Sequence, residues 1–367
     1  MTLAKKRVLV AMSGGVDSSL TAALLRDSGY DVIGATMRLW TPASFEEEAA
    51  ASGRGCCSLA AVDDARRVAD KLGIPFYVLN FKGAFREKVV DYFIAEYSRG
   101  RTPNPCIACN RFLKFDLFLQ KARELEADYI ATGHYARILY DSETGRFRLQ
   151  KAKDAAKDQT YVLYNLTQEQ LSRTLFPLGD YLKSEVRKLA ADYGLAVADK
   201  PDSQEICFIP DNDYKRFLRE EAGIPANPGP IIDLDGNILG THQGLVNYTV
   251  GQRKGLGIAV GRPMFVVRLD TENNALIVGD SEDVTASALI ADDVNLVLYD
   301  RLEAPLPVAV KVRYHAKAAA ATVTSLADGR VRVDFARPER AVTPGQSVVF
   351  YQGDDVVGGG IIQEAIH

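Results

Sequence analysis

A chain of 367 residues is long enough for two or three domains. Its 47% hydrophobic and 25% charged residues are ordinary for a globular protein, and a net charge of −4 argues against a polycation that grips nucleic acid by bulk charge. No apolar stretch approaches a membrane span, the short apolar run after Lys5-Lys6-Arg7 cannot be a signal-peptide core, and five cysteines make no disulfide framework. A cytoplasmic protein with no membrane partner is therefore expected, in which cysteines are catalytic, metal-binding or inert.

Val8 to Met12 reads as a buried parallel strand, and Leu20 to Leu25 as a helix. Between them stands Ser13-Gly14-Gly15-Val16-Asp17-Ser18-Ser19. The two glycines permit a tight turn whose N–H groups converge on an anion, and the helix N-terminus adds partial positive charge. Ser13, Ser18 and Ser19 add hydroxyl donors. The loop is a phosphate cradle, yet it lacks the Walker pattern and contains no lysine.

Asp31 to Met37 predicts a second strand, and the polar segment Ser44 to Gly55 a mobile loop. Cys56 and Cys57 precede a helix over Leu59 to Leu72, stopped by Gly73-Ile74-Pro75, and are read as structural. A third strand over Phe76 to Asn80 and a helix from Phe85 to Arg99 complete an alternation that means a parallel sheet covered by helices. In Thr102-Pro103-Asn104-Pro105-Cys106-Ile107-Ala108-Cys109-Asn110 the prolines predict extended backbone, with a helix from Arg111 to Leu125. Cys109 would then sit near a helix N-terminus, which favours thiolate. Asp128 to His134 is another strand, Leu182 to Tyr193 a helix, and Asp199 to Phe208 a polar loop carrying Cys207.

A short helix, Tyr214 to Glu221, leads to the proline-rich 225–230, a boundary beyond which short strands alternate with turns such as Asp235-Gly236 and Asp328-Gly329. Thr249 to Gly257 is a basic, glycine-rich loop. From Lys311 to Arg340 seven basic residues face three acidic ones. The expected fold is α/β: an N-terminal doubly wound parallel sheet over 1–210, a small mainly β domain over 211–284, and a C-terminal β-barrel over 285–367.

The loop at Ser13 resembles the PP-loop of the N-type ATP pyrophosphatases, which split ATP between the α and β phosphates. With Thr102 to Asn110, Ala131-Thr132-Gly133-His134-Tyr135, Lys157-Asp158-Gln159, Ile206-Cys207-Phe208, Tyr248 to Gly257, Arg313-Tyr314 and Thr343-Pro344-Gly345-Gln346, nearly the whole chain resembles the bacterial tRNA-specific 2-thiouridylases. These replace the 2-oxygen of the wobble uridine in tRNAs for Lys, Glu and Gln with sulfur. Adenylation turns that oxygen into a good leaving group, so one hard step becomes two easier ones.

The resemblance implies ATP, with Mg²⁺ bridging its phosphates, held by Ala11, Met12, Ser13, Gly14, Gly15, Val16, Asp17 and Ser18, with Met37 and Gly133 lining adenine and ribose. Asp17 would either neighbour Mg²⁺ or shape the loop. Cys207 would carry sulfur as a persulfide from a sulfur-relay protein or cysteine desulfurase, and Cys109 would release it. Asn104, Pro105 and Cys106 would surround the flipped base, with His134, Lys157, Asp158 and Gln159 nearby. Arg313, Tyr314 and Gln346 would let the barrel hold the anticodon loop. A monomer is expected.

Many members carry aspartate where this chain has Cys106. Cys106-x-x-Cys109 with Cys207 therefore leaves a second route open, a [4Fe-4S] cluster on three thiolates whose fourth iron delivers sulfide. The same pair could form a redox disulfide or bind zinc. Two rival functions compete: a PP-loop amidating ligase or synthetase on a small molecule, which needs no paired cysteines, and a non-catalytic RNA-binding module.

Overall fold

The computed structural model describes residues 5–42, 59–201, 206–209 and 211–367. The segment Ser44 to Gly55, with Cys56 and Cys57, lies outside the described residues. The chain divides into two compact units, Met1–Val90 with Pro105–Asn212 and Asp354–Val356, and Asp91–Asn104 with Asp213–Gly353 and Val357–His367.

In the first unit β1 (Arg7–Ala11), β2 (Asp31–Arg38), β3 (Phe76–Asn80), β4 (Tyr129–Ala131) and a two-residue strand Thr174–Leu175 form one parallel sheet, ordered β3-β2-β1-β4 and then Thr174–Leu175. Val8, Leu9 and Val10 on the middle strand are fully buried, which is why the strand reads as an unbroken apolar run. Each such side chain stabilises the fold by about 1.5–3 kcal/mol. Helices α1 (Val16–Asp27) and α2 (Leu59–Leu72) cover the sheet, with Leu20, Ala23, Ala65 and Val68 in the same core as Val8 and Val10. The chain leaves β1 towards β2 and returns to β4 on its other side. The crevice at the carboxyl ends of β1 and β4 is thus the topological switch point, where ligands bind in such sheets.

The helix expected from Arg111 begins earlier. It runs from Pro105–Ala108 through a π-helical stretch, Cys109–Leu117, to Phe118–Glu124. Pro105 stands at the first helical position, where its fixed φ and missing N–H do no harm. A hairpin, Ala136–Asp141 with Arg146–Lys151, follows β4 and goes unannounced in the sequence, because arginines interrupt its apolar alternation.

The second unit holds a four-stranded sheet built from Gly229–Ile232, Ile238–His242, Phe265–Asp270 and Ala275–Gly279, and a closed six-stranded barrel. The barrel strands are Thr285–Leu296, Leu306–Lys311, Ala319–Ser325, Val331–Arg340, Ser347–Gln352 and Asp355–Ile366, and the first and last pair to close it. Val310, Val323, Val333, Val348 and Phe350 fill it, alternating with outward residues. The turns at Gly236 and Gly329 have φ of +87° and +85°, as the Asp-Gly pairs predict. The α/β sheet and the barrel are both as the sequence leads one to expect.

Phe350 is fully buried among valines. Phe350→Ala should destabilise the barrel by about 3–5 kcal/mol, read as a lowered urea midpoint with an unchanged slope. A loss below about 1 kcal/mol would contradict this packing.

Candidate active site

The loop after β1 is set by one backbone encounter. Gly14 has φ +71°, and a Cβ there would lie 2.2 Å from the Ala61 carbonyl oxygen at the start of α2. No other residue meets both conditions. Gly15 precedes α1 in extended conformation. Ser18 accepts the Ser13 N–H at 3.1 Å and donates to the Gly15 carbonyl at 3.2 Å, while the two serine hydroxyls lie 3.2 Å apart. Ser13 is exposed and Ser18 buried. The Ser19 hydroxyl is fully buried and has no hydrogen-bond partner.

Val16 is buried at the start of α1, Ala11 and Met12 in the sheet core, and the Met12 carbonyl accepts the Thr36 hydroxyl at 2.6 Å. Met37 is half-buried on β2. Gly133 packs on the loop itself, where a Cβ would lie 2.8 Å from the Ser18 nitrogen. Asp17 is engaged on both oxygens. Lys183 donates to them at 2.8 and 2.7 Å, and the Tyr135 hydroxyl donates to Oδ1 at 2.8 Å. These contacts tie Asp17 to the elements around the loop. Lys200 donates to the Gly14 carbonyl at 3.0 Å and to Asp64 at 2.9 Å. Lys183, Lys200 and Tyr135 escape a reading of the loop by itself, because they come from distant stretches.

The cysteines occupy unlike positions. Cys109 is 8% exposed and lies one turn inside a helix, not at the helix N-terminus that the sequence leads one to expect. π-helical stretches are rare and gather at functional sites. Cys106 is exposed, as is Cys207. Cys207 sits in a turn closed by Ile209 N–H to Ile206 carbonyl and anchored by buried Phe208, which meets Phe85 edge to face. Among the described residues no three His, Cys, Asp or Glu side chains converge on a metal position. Cys106, Cys109 and Cys207 therefore do not stand together as a three-thiolate ligand set in this arrangement. Asn110 is buried, with its amide donating to the Val162 carbonyl and its Oδ1 unpartnered.

Several residues expected to touch RNA have structural engagements. The Gln346 amide donates to the Thr102 and Pro103 carbonyls at 2.8 and 3.4 Å, so it straps the backbone that leads to Asn104 and Pro105. Asp158 accepts the Ala152 N–H and the Thr160 hydroxyl. Gln159 accepts the Tyr135 N–H at 2.9 Å and donates its own N–H back to Tyr135. Lys157 is half-buried beside them. Arg313 is exposed and donates to the Arg340 carbonyl, and Tyr314 meets His315 edge to face.

His134 is 8% exposed, 2.6 Å from the Thr132 hydroxyl and ringed by Phe115 and Phe176. Burial, and secondarily the Lys114 charge, holds its pKa well below 6.5.

The fold and loop define a class: an α/β nucleotide-binding domain whose phosphate cradle lies at the sheet's switch point, joined to β modules. Three family signatures match in succession, the tRNA methyl transferase HUP domain over residues 6–211, the tRNA methyl transferase PRC-barrel domain over 215–280, and the aminomethyltransferase beta-barrel domain over 286–362. The tRNA-specific 2-thiouridylase MnmA of Acetivibrio thermocellus is 58% identical over 98% of this chain and 100% of its own length. Those of Pelotomaculum thermopropionicum and Symbiobacterium thermophilum are also 58% identical, over 98% and 99% of this chain and 98% and 93% of theirs. The chain belongs to the tRNA-specific 2-thiouridylase family. It is a sulfurtransferase with an ATP-binding PP-loop. No described helix is long and apolar enough to cross a membrane.

His134 also makes a pH prediction. Below about pH 6.5 an unfolded chain protonates this histidine and the folded protein does not. Stability present above that pH is therefore lost on acidification, by up to about 1.4 kcal/mol per pH unit. Urea unfolding at pH 7.5 and 5.5 should show a smaller acid loss in His134→Gln than in the parent, and equal losses would contradict the assignment.

Proposed function

We propose that the protein thiolates the 2-position of the wobble uridine in tRNAs for Lys, Glu and Gln. What carries this reading is family membership over the whole chain, together with the Ser13–Ser18 cradle at the switch point. The ATP arrives with its Mg²⁺ as substrate. The uridine 2-oxygen attacks the α-phosphate, the bond to the β-phosphate breaks, and pyrophosphate leaves from the loop. N–H groups at Gly14, Gly15 and the start of α1 stabilise charge on that leaving group. The uridine now carries AMP on its 2-oxygen.

Sulfur comes to exposed Cys207 as a persulfide from a donor protein. The Cys109 thiolate attacks the inner sulfur of that persulfide, a Cys109–Cys207 disulfide forms, and hydrosulfide is released. Hydrosulfide adds to carbon 2, and AMP departs with the old oxygen. A cellular dithiol must then reduce the disulfide, a two-electron step, before the next turnover. Cys109 is buried and Cys207 exposed, which suits one thiol that meets a donor protein and another that acts under cover of the substrate. Neither rival function uses such a pair.

The barrel offers the RNA a charged end. Asp328 pairs with Arg330, and Asp334 with Arg332, near one turn. Lys311, Arg313, Lys317, Arg337 and Arg340, with the one acid Glu339 among them, lie at the opposite end of the same strands, where Arg313 reaches the Arg340 carbonyl. An even spread of charge would waste these cations; their grouping suits phosphates.

Two experiments follow. With purified enzyme, ATP, unmodified tRNA and a persulfide donor, both Cys109→Ala and Cys207→Ala should abolish 2-thiouridine measured by mass spectrometry, while pyrophosphate release persists. Cys106→Ala should keep most of its activity, and iron-free protein should work. Loss of activity in Cys106→Ala, restored in the parent only by iron and sulfide, would overturn this sulfur route. In the second, Arg313→Ala with Lys317→Ala should weaken tRNA binding and flatten its salt dependence by about 0.7–0.9 in log–log slope per lost phosphate contact. An unchanged slope would remove the barrel from the RNA contact.

A further inference from the structure

In sequence, residues 91–104 lie between β3 and β4 of the parallel sheet, yet they fold with the second unit. The helix Tyr92–Ser98 packs there through its aromatic side chains. Tyr97 stacks on Tyr214 with ring centres 5.1 Å apart, and Phe93 meets Phe217 edge to face. Gly100 then turns the chain with φ +72°, at a place where a Cβ would lie 2.7 Å from the Thr271 methyl. The next four residues, Arg101 to Asn104, are the last before the chain passes into the first unit at Pro105.

The barrel holds these residues at three points. The Thr102 N–H donates to the Pro344 carbonyl at 2.9 Å, and Gln346 straps the Thr102 and Pro103 carbonyls. Arg101 makes the third tie, with a side chain only 20% exposed. Its Nε donates to Glu96 at 2.6 Å, one terminal nitrogen to Gln363 Oε1 at 2.6 Å, and the other to the Ile362 carbonyl at 3.4 Å. Gln363 in turn donates to Asp292, so the chain of contacts ends on the two strands whose pairing closes the barrel. A guanidinium presents its donors in a fixed fork, so three acceptors fix its place as they could not fix an ammonium. A buried ion pair that only steadies a bend is the competing role.

We propose that Arg101 is a positioning residue for the reaction. Through Glu96 and Gln363 it makes the Arg101–Asn104 backbone move as part of the barrel, so that the barrel's hold on tRNA sets where Asn104 meets the target base. The proposal rests on the reading of the barrel as the tRNA grip and of Asn104 as a base contact.

Two variants of the full-length enzyme loosen this tie without stranding the Glu96 carboxylate. Gln363→Met leaves the Glu96–Arg101 pair intact, and Arg101→Lys keeps a positive charge beside Glu96 while losing the fork. At saturating tRNA each should slow pyrophosphate release by about 10–10²-fold, because a small misplacement of the base is enough to cost that much. The KM for tRNA, the salt dependence of tRNA binding and the melting temperature should stay close to the parent's, since the barrel still holds the RNA. Parent-like turnover in both variants would overturn the proposal. So would a raised KM with unchanged kcat and a flatter salt slope in Arg101→Lys, which would make Arg101 a direct RNA contact. A lowered melting temperature with equal losses of ATP and tRNA binding would leave only the structural ion pair. Asn104→Ala is the control for the underlying reading. If Asn104→Ala is slow while Gln363→Met and Arg101→Lys run at the parent rate, Arg101 alone is misassigned. If all three run at the parent rate, the base-contact reading of Asn104 fails with it.

Discussion

Where two backbones come within contact distance there is no room for a side chain, and Gly14 is where this molecule meets that limit. Its Cα faces the Ala61 carbonyl so closely that even a methyl group would overlap it. The left-handed φ at the same residue turns the chain from β1 into α1. From this one encounter follow the direction of the α1 N-terminus, the place of Ser13 at the surface, and the position of Asp17 within reach of Lys183 and Tyr135. The sheet fixes where the turn must be; the glycine fixes which way it faces.

Charge is arranged by the same economy of neighbours. The net value of −4 says little about a molecule whose acids are committed locally. Asp17 is matched by Lys183, Asp64 by Lys200, Asp328 by Arg330 and Asp334 by Arg332. The two barrel pairs are exposed and contribute little to stability, about 0–1 kcal/mol each. Their effect is on the field: they remove negative charge from one barrel end and leave a group of cations at the other. The bulk numbers that argue against nucleic acid average over this pattern.

What could be read in the sequence was local. The strand–loop–helix at Val8 to Leu25 was legible because an apolar run, two glycines and an amphipathic helix lie in register. The end of the helix Leu59–Leu72 was legible, since Gly73-Ile74-Pro75 stops it. The barrel declared itself through short alternating strands and Asp-Gly turns. What failed to show were meetings between distant residues. Nothing at Lys183 or Lys200 marks them as neighbours of a loop more than 160 residues upstream. The prolines predict extended backbone, but Pro105 is the first helical residue, which moves Cys109 from a helix N-terminus to one turn inside a helix. Nor does the sequence show that the Gln346 amide, expected at the tRNA, also straps Thr102 and Pro103.

The barrel closes through the pairing of Thr285–Leu296 with Asp355–Ile366, two strands with four others between them in the chain. The hairpins in between pair near neighbours and form quickly; the seam joins partners that must find each other across the whole module. Until it forms, the sheet has two raw edges, and the apolar faces of Leu289 and Ile362 that end up fully buried are open to other chains. During synthesis the first seam strand emerges long before its partner. The module therefore passes through an interval of exposure whose length is set by the translation of the strands between, and crowding by sister chains on one message is the hazard that interval creates.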